Sequence, residues 1–220
     1  MSERTNGRLL AWAALVGGVA LLGYTARASG ERPERDSLYL YSTAVAQAVF
    51  FAVILAIVLA IARGLPKARL LGLRQPHSWR RAVWIALGVF IAVVVLNALL
   101  DPLLHAGREQ GLAPKRWEPS HAGAFAANFA VFALFGPVVE ELTFRGVGFG
   151  LLLERFGQTA AILLVGVAFG VWHGLVDALP ILAAFGVGLA YLRSRTGSIF
   201  PTIALHVAFN ALALTLAVTL

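Results

Sequence analysis

Three groups of residues in the second half of the chain carry side chains able to do chemistry inside segments that are otherwise apolar. Glu140 and Glu141 are adjacent, and Arg145 follows four positions after the second. His173 closes the stretch Phe169-Gly170-Val171-Trp172-His173, and His206 precedes Asn210 by four positions. An ionisable group at membrane depth costs about 3 kcal/mol or more, so such groups mark either a functional site or a buried ion-pair cluster that ties helices together. Neighbours on a helix point about 100° apart, so Glu140 and Glu141 cannot face one partner, while Glu141 and Arg145 can pair across one turn. That pairing leaves Glu140 to face a cavity.

One free glutamate, two histidines and an asparagine suit hydrolysis of a peptide bond by water. There is no cysteine, which removes thiolate chemistry, and Ser198 lies about 12 Å from His206 along one helix, out of hydrogen-bond reach. Glu140 would take a proton from water, with His173 orienting that water or sharing the proton. His206 and Asn210, on one helix face, would donate to the oxygen that turns negative as a carbonyl is attacked. The trio Glu140, His173 and His206 would also serve as a two-imidazole, one-carboxylate zinc set, although the usual zincin helix with histidines four apart is absent. A non-enzymatic reading uses the same groups as the proton or ligand site of a transporter or scaffold.

The elements that must position these groups are membrane helices. Of the 220 residues 59% are hydrophobic and 13% charged, and the apolar runs are continuous rather than alternating, which points to an all-α integral membrane protein and not a barrel. The runs cover 8–25, 38–62, 82–100, 121–154, 159–174, 179–192 and 198–218. They predict a bundle of about seven transmembrane helices, or eight if the fourth run splits, since at roughly 50 Å it is too long for one span and Pro137 offers a kink. Ala26-Arg27-Ala28 after the first run would also suit a cleaved leader, but a retained span is the reading preferred.

The net charge of +7 is concentrated in Arg63, Lys67, Arg69, Arg74, Arg80 and Arg81, with no acid among them. Membrane topology explains this loop better than a nucleic-acid partner, and it predicts a cytoplasmic position; an anionic-lipid clamp is the alternative function for it. The stretch 101–120 reads as a polar loop whose His105 has no metal-ligand spacing. Counting rise from the charged turns puts Glu140 about 22 Å from Arg155, His173 about 21 Å from Thr159, and His206 and Asn210 about 15 and 21 Å from Thr196. The groups therefore converge at one depth. Gly166, Gly170 and Gly174 form a stripe that lets neighbouring backbones approach. Residues 1–120 read as N-terminal transmembrane helices 1–3 with the basic loop 63–81, and residues 121–220 as the catalytic core.

Taken in order, these motifs resemble the CPBP intramembrane proteases, a family that includes CAAX prenyl endopeptidases and bacteriocin-processing or self-immunity proteins. Glu140, Glu141 and Arg145, followed by Gly146, are similar to its first motif, Phe169 and His173 to its second, and His206 and Asn210 to its third. Arg195-Thr196-Gly197-Ser198 and Pro201, ahead of the third motif, also look like the family. The resemblance covers residues 121–215 and implies a glutamate-dependent endopeptidase that needs no metal or other cofactor. It implies Glu140 and His173 as the groups activating water, His206 and Asn210 as the oxyanion hole, and Glu141, Arg145 and Phe169 in support. The partners implied are a peptide or protein substrate and membrane lipids. The compact, alanine-rich sequence points to a bacterial inner membrane. With seven spans and the 63–81 loop in the cytoplasm, the turns at Arg155 and Arg193 share that side, and the site lies beyond the midplane.

Overall fold

In hydrocarbon each backbone N–H and C=O must be satisfied within its own segment, so continuous apolar runs resolve into helices. The computed structural model describes residues 3–30, 36–104 and 116–219, and among these every regular element is helical. His105, with the middle of the expected loops 29–37 and 101–120, lies outside the described residues. Five helical runs are long and apolar enough to cross a membrane: Thr5–Ala28, Tyr41–Ala62, Trp79–Leu104, Pro119–Trp172 and Phe200–Val218. The chain is a multi-pass integral membrane protein.

Helices α1 (Glu3–Ala28), α2 (Tyr41–Ala62) and α3 (Trp79–Leu104) come first. The last of these extends past the expected 82–100 at both ends and takes in Asp101 and Pro102, which the sequence reading assigns to the loop. The 54-residue run Pro119–Trp172 is a hairpin. Phe144 and Phe169 would stand about 37 Å apart on a straight helix, yet their ring centroids are 5.3 Å apart. The reversal is at Gly157, whose φ of 80° and ψ of 176° need a residue without a Cβ. We therefore call residues 122–156 α4 and residues 158–172 α5. Helix α4 stays helical through Pro137, where the sequence offers a kink, and does not split there into an eighth span. Helices α6 (Leu179–Thr196) and α7 (Phe200–Thr219) complete the bundle; α6, with Arg193 and Arg195 in its last turn, is not among the five runs of spanning composition.

The glycine stripe brings α5 against α6. A Cβ on Gly166 would lie 2.6 Å from the Val187 nitrogen, and one on Gly186 would lie 2.6 Å from the Gly166 carbonyl, so this contact is backbone on backbone. Gly174 does not belong to the stripe: with φ of 62° it ends α5 and meets Gly23 of α1, 2.8 Å from where its Cβ would be.

The basic loop packs on the bundle. Arg74 Nε donates to the Gly197 carbonyl at 2.9 Å, and the Ile199 N–H donates to the Gly72 carbonyl at 3.1 Å. Arg8 reaches the Arg63 carbonyl at 2.6 Å. The start of α1, the 63–78 loop and the turn after α6 thus share one end of the bundle, the end rich in cations.

Candidate active site

The two glutamates sit in a short α-helical piece, Gly136–Glu141, between two π-helical stretches, Ala130–Phe135 and Leu142–Gly148. Widened turns bypass main-chain carbonyls, which other groups must then satisfy. At the first stretch the Gly136 N–H goes to the Val131 carbonyl and Pro137 has no N–H to give. The Phe132 carbonyl accepts instead from Asn210 Nδ2 at 3.0 Å. At the second stretch the Phe149 N–H points to the Phe144 and Gly146 carbonyls, and the Arg145 carbonyl between them accepts from Arg193 Nε at 3.2 Å. Trp12 Nε1 donates to the Thr143 carbonyl at 2.9 Å. Side chains from α1, α6 and α7 thereby fix the segment that carries the carboxylates.

Glu141 and Arg145 are both fully buried and joined at 2.9 Å through Glu141 Oε1. The other arm of Arg145 donates to the Gly186 carbonyl at 2.9 Å, which the close α5–α6 contact presents, and its guanidinium lies 4.4 Å over the Phe169 ring. Glu141 Oε1 also meets His206 Nδ1 at 2.9 Å. The second nitrogen of that ring, Nε2, is 3.6 Å from Glu140 Oε2. One imidazole therefore stands between two adjacent carboxylates. Phe169 and Phe185 flank it with ring centroids at 5.6 and 5.4 Å, and only 2% of His206 is exposed. Glu141 Oε2 and Arg145 Nε have no hydrogen-bond partner among the described residues, so the buried ion pair is held through one carboxylate oxygen. Glu140 is 8% exposed against 0% for Glu141. It is the carboxylate of the pair nearer to solvent.

His173 ends α5, partly buried, with Nδ1 2.7 Å from the Phe169 carbonyl four residues back. A carbonyl only accepts, so Nδ1 donates here and Nε2 is the nitrogen left for another partner. His173 and His206 pack against the same Phe169 ring, with centroids 4.8 and 5.6 Å away. Beyond it, Arg27 Nε donates to the Gly174 carbonyl at 3.0 Å and the Tyr24 hydroxyl to the Leu175 carbonyl at 3.4 Å. The end of α1 thus holds the loop that follows His173.

The structure brings Glu140, Glu141, Arg145, Phe169, His173 and His206 into one cluster. Asn210 stands one turn beyond His206 with its amide nitrogen on Phe132. Ser198 accepts from the Phe200 N–H at 3.1 Å and caps α7. Among the described residues no three His, Cys, Asp or Glu side chains are placed to hold a metal ion, so the zinc set of Glu140, His173 and His206 gains no support from the geometry.

Sequence reasoning misses three anchors. Arg193 is 4% exposed, lies 5.4 Å over the Phe149 ring and donates also toward the Arg69 and Leu70 carbonyls at 3.4 Å each. Asn128, fully buried, donates to the Leu38, Leu40 and Ala124 carbonyls at 3.0, 2.9 and 3.0 Å. Trp12 is the third. A single polar tip inside an apolar run is the signal that would have found Asn128 and Trp12; Arg193 has none, because it reads as one more turn cation.

Residues 122–212 match the family model described as type II CAAX prenyl endopeptidase, Rce1-like. Over 185 residues the chain is 26% identical to the Bacillus subtilis (strain 168) protein named "Putative membrane peptidase YdiL", an alignment covering 83% of this chain and 75% of that protein. No solved structure matches the chain. The family match begins with the first residue of α4 and contains every side chain of the cluster.

Proposed function

We propose that, through residues 122–212, the chain belongs to the CPBP/CAAX protease family of membrane peptidases, and that it is an intramembrane endopeptidase whose nucleophile is a water activated by Glu140. The observation that carries this reading is the His206 ring between two unequal carboxylates, 2.9 Å from Glu141 and 3.6 Å from Glu140. Glu141 is committed to Arg145 and His206 and orients the ring. Glu140, the more exposed of the two, is the one that water reaches.

In the reaction, Nε2 of His173 accepts a hydrogen bond from the water and Glu140 takes the proton as the oxygen attacks the peptide carbonyl carbon. The carbonyl oxygen becomes negative and is met by His206 Nε2–H and by the second N–H of Asn210, whose first is held by Phe132. Glu141 Oε1, 2.9 Å from His206 Nδ1, holds the ring in place for that role. The C–N bond then breaks, and the proton on Glu140 passes to the leaving amine. Phe169 and Phe185 keep bulk water from the ring, which strengthens each of these hydrogen bonds. Residues 121–220 form the catalytic core, α1 to α3 are its membrane scaffold, and the substrate is a peptide or protein segment that reaches a bacterial inner membrane. The cationic end of the bundle faces the cytoplasm.

The test is to incubate the purified protein in detergent with a quenched-peptide library, with and without a strong chelator. Cleavage that survives the chelator and disappears in Glu140→Ala is the expected result. Activity lost to the chelator and restored by zinc contradicts the glutamate mechanism, and an uncleaved library leaves a narrow substrate range or the transporter or scaffold reading, which a binding screen for partners then separates.

A further inference from the structure

The cations of the 63–81 loop divide into two sets. Arg74 is turned inward onto Gly197, whereas Arg80 and Arg81 at the start of α3 are exposed and line an open groove of about 400 Å³ together with Ser78, Trp84 and Ile85. No carboxylate among the described residues forms an ion pair with either arginine. Below the groove the exposed residues Trp84, Leu87, Ile91 and Val95 follow at three- and four-residue spacing, forming one apolar stripe down the helix. Helix α3 is also the most open of the five spanning runs, with 11% of its apolar window buried against 17% to 39% in the others.

We propose that this groove binds the phosphate headgroup of an anionic phospholipid, with an acyl chain lying along Trp84, Leu87, Ile91 and Val95. Two guanidinium forks suit phosphate oxygens, a tryptophan at this level suits the membrane interface, and the apolar stripe continues where a lipid tail must go. A soluble phosphate would use the arginines and leave the stripe uncovered, so the amphiphile fits the whole feature. Plain topology determination explains cations in this loop; it does not explain two arginines and a tryptophan around one groove above an apolar track. The proposal does not depend on peptide cleavage.

The experiment measures lipid retention by native mass spectrometry and the thermal midpoint of the full chain in neutral detergent. The probes are phosphatidylglycerol, phosphatidylcholine with the same acyl chains, and inorganic phosphate. The variants are R80Q/R81Q and, as a control on the same loop, K67Q/R69Q. Phosphatidylglycerol should be retained and should raise the midpoint in the wild type and the control. R80Q/R81Q should bind it about thirty-fold more weakly, as two surface cations at about 1 kcal/mol each imply, with its midpoint in phosphatidylcholine unchanged. Equal weakening in both double variants means a diffuse field and overturns the site. Equal retention of the neutral lipid, or the same stabilisation by inorganic phosphate, overturns the assignment to an anionic lipid.

Discussion

The helices before residue 105 and those after residue 118 are built on different principles. In α1, α2 and α3 between 11% and 22% of the apolar window is buried, against 39% in the run that holds the glutamates. The first region is the more open to lipid; it gives the second a set of apolar side chains, Trp12, Phe51 and Ile54 among them, and a few donors aimed at main-chain carbonyls. Trp12 reaches Thr143, between Glu141 and Arg145, and Arg27 reaches Gly174, next to His173. The second region encloses charge, and enclosing charge requires depth of packing: fully buried Arg145 has a carboxylate, a carbonyl and a ring around it. In lipid, helices associate through close packing and hydrogen bonds, and the contacts between the regions combine the two: Gly23 against Gly174 and Phe50 against Trp172 on one side, Trp12 and Arg27 on main-chain carbonyls on the other.

Replacements can break or sharpen this contrast. Arg145→Ala strands Glu141 in the most buried part of the second region and should cost about 3–5 kcal/mol of stability, read as a lowered unfolding midpoint in a denaturing-detergent titration. An unchanged midpoint would mean that the second region does not rest on its ion pair. Trp12→Phe keeps an aromatic ring but removes the donor to the Thr143 carbonyl, a loss of about 1 kcal/mol; a neutral result in the same titration would mean that this bond does not tie α1 to the second region. Arg27→Met keeps the aliphatic stem and removes the bond to Gly174 near the surface, so less than about 1 kcal/mol should be lost. Peptide cleavage should still fall a few-fold, because the loop beyond His173 is loosened.

Much of the second region was legible in the sequence. The rise of a helix is fixed, so counting from the charged turns placed Glu140 and His173 at one level; in the structure Glu140 lies 3.6 Å from His206, and His173 shares the Phe169 ring with His206. The Glu141–Arg145 pair follows from four-residue spacing. The π-helical stretches were not legible: whether a turn widens depends on a distant side chain taking the freed carbonyl, here Asn210 and Arg193. Nor does local sequence tell Arg193 from Arg195. The difference lies in Gly72, where a Cβ would overlap the Arg193 guanidinium, so the loop opposite α6 decides which cation goes inside. The sequence reading gives His206 an oxyanion or zinc role and does not foresee its contact with Glu141, which depends on how α7 is rotated against α4.

The central claim is that two adjacent glutamates divide chemistry from architecture. The measurement that tests it most directly is a paired one, cleavage of a peptide substrate and unfolding midpoint for Glu140→Gln and Glu141→Gln in the same detergent. Glu140→Gln should keep the wild-type midpoint and lose cleavage by on the order of 100- to 10,000-fold, while Glu141→Gln, which removes the charge facing Arg145, should lower the midpoint markedly. A Glu140→Gln protein that still cleaves, or a Glu141→Gln protein that is as stable as the wild type and inactive, would contradict the account.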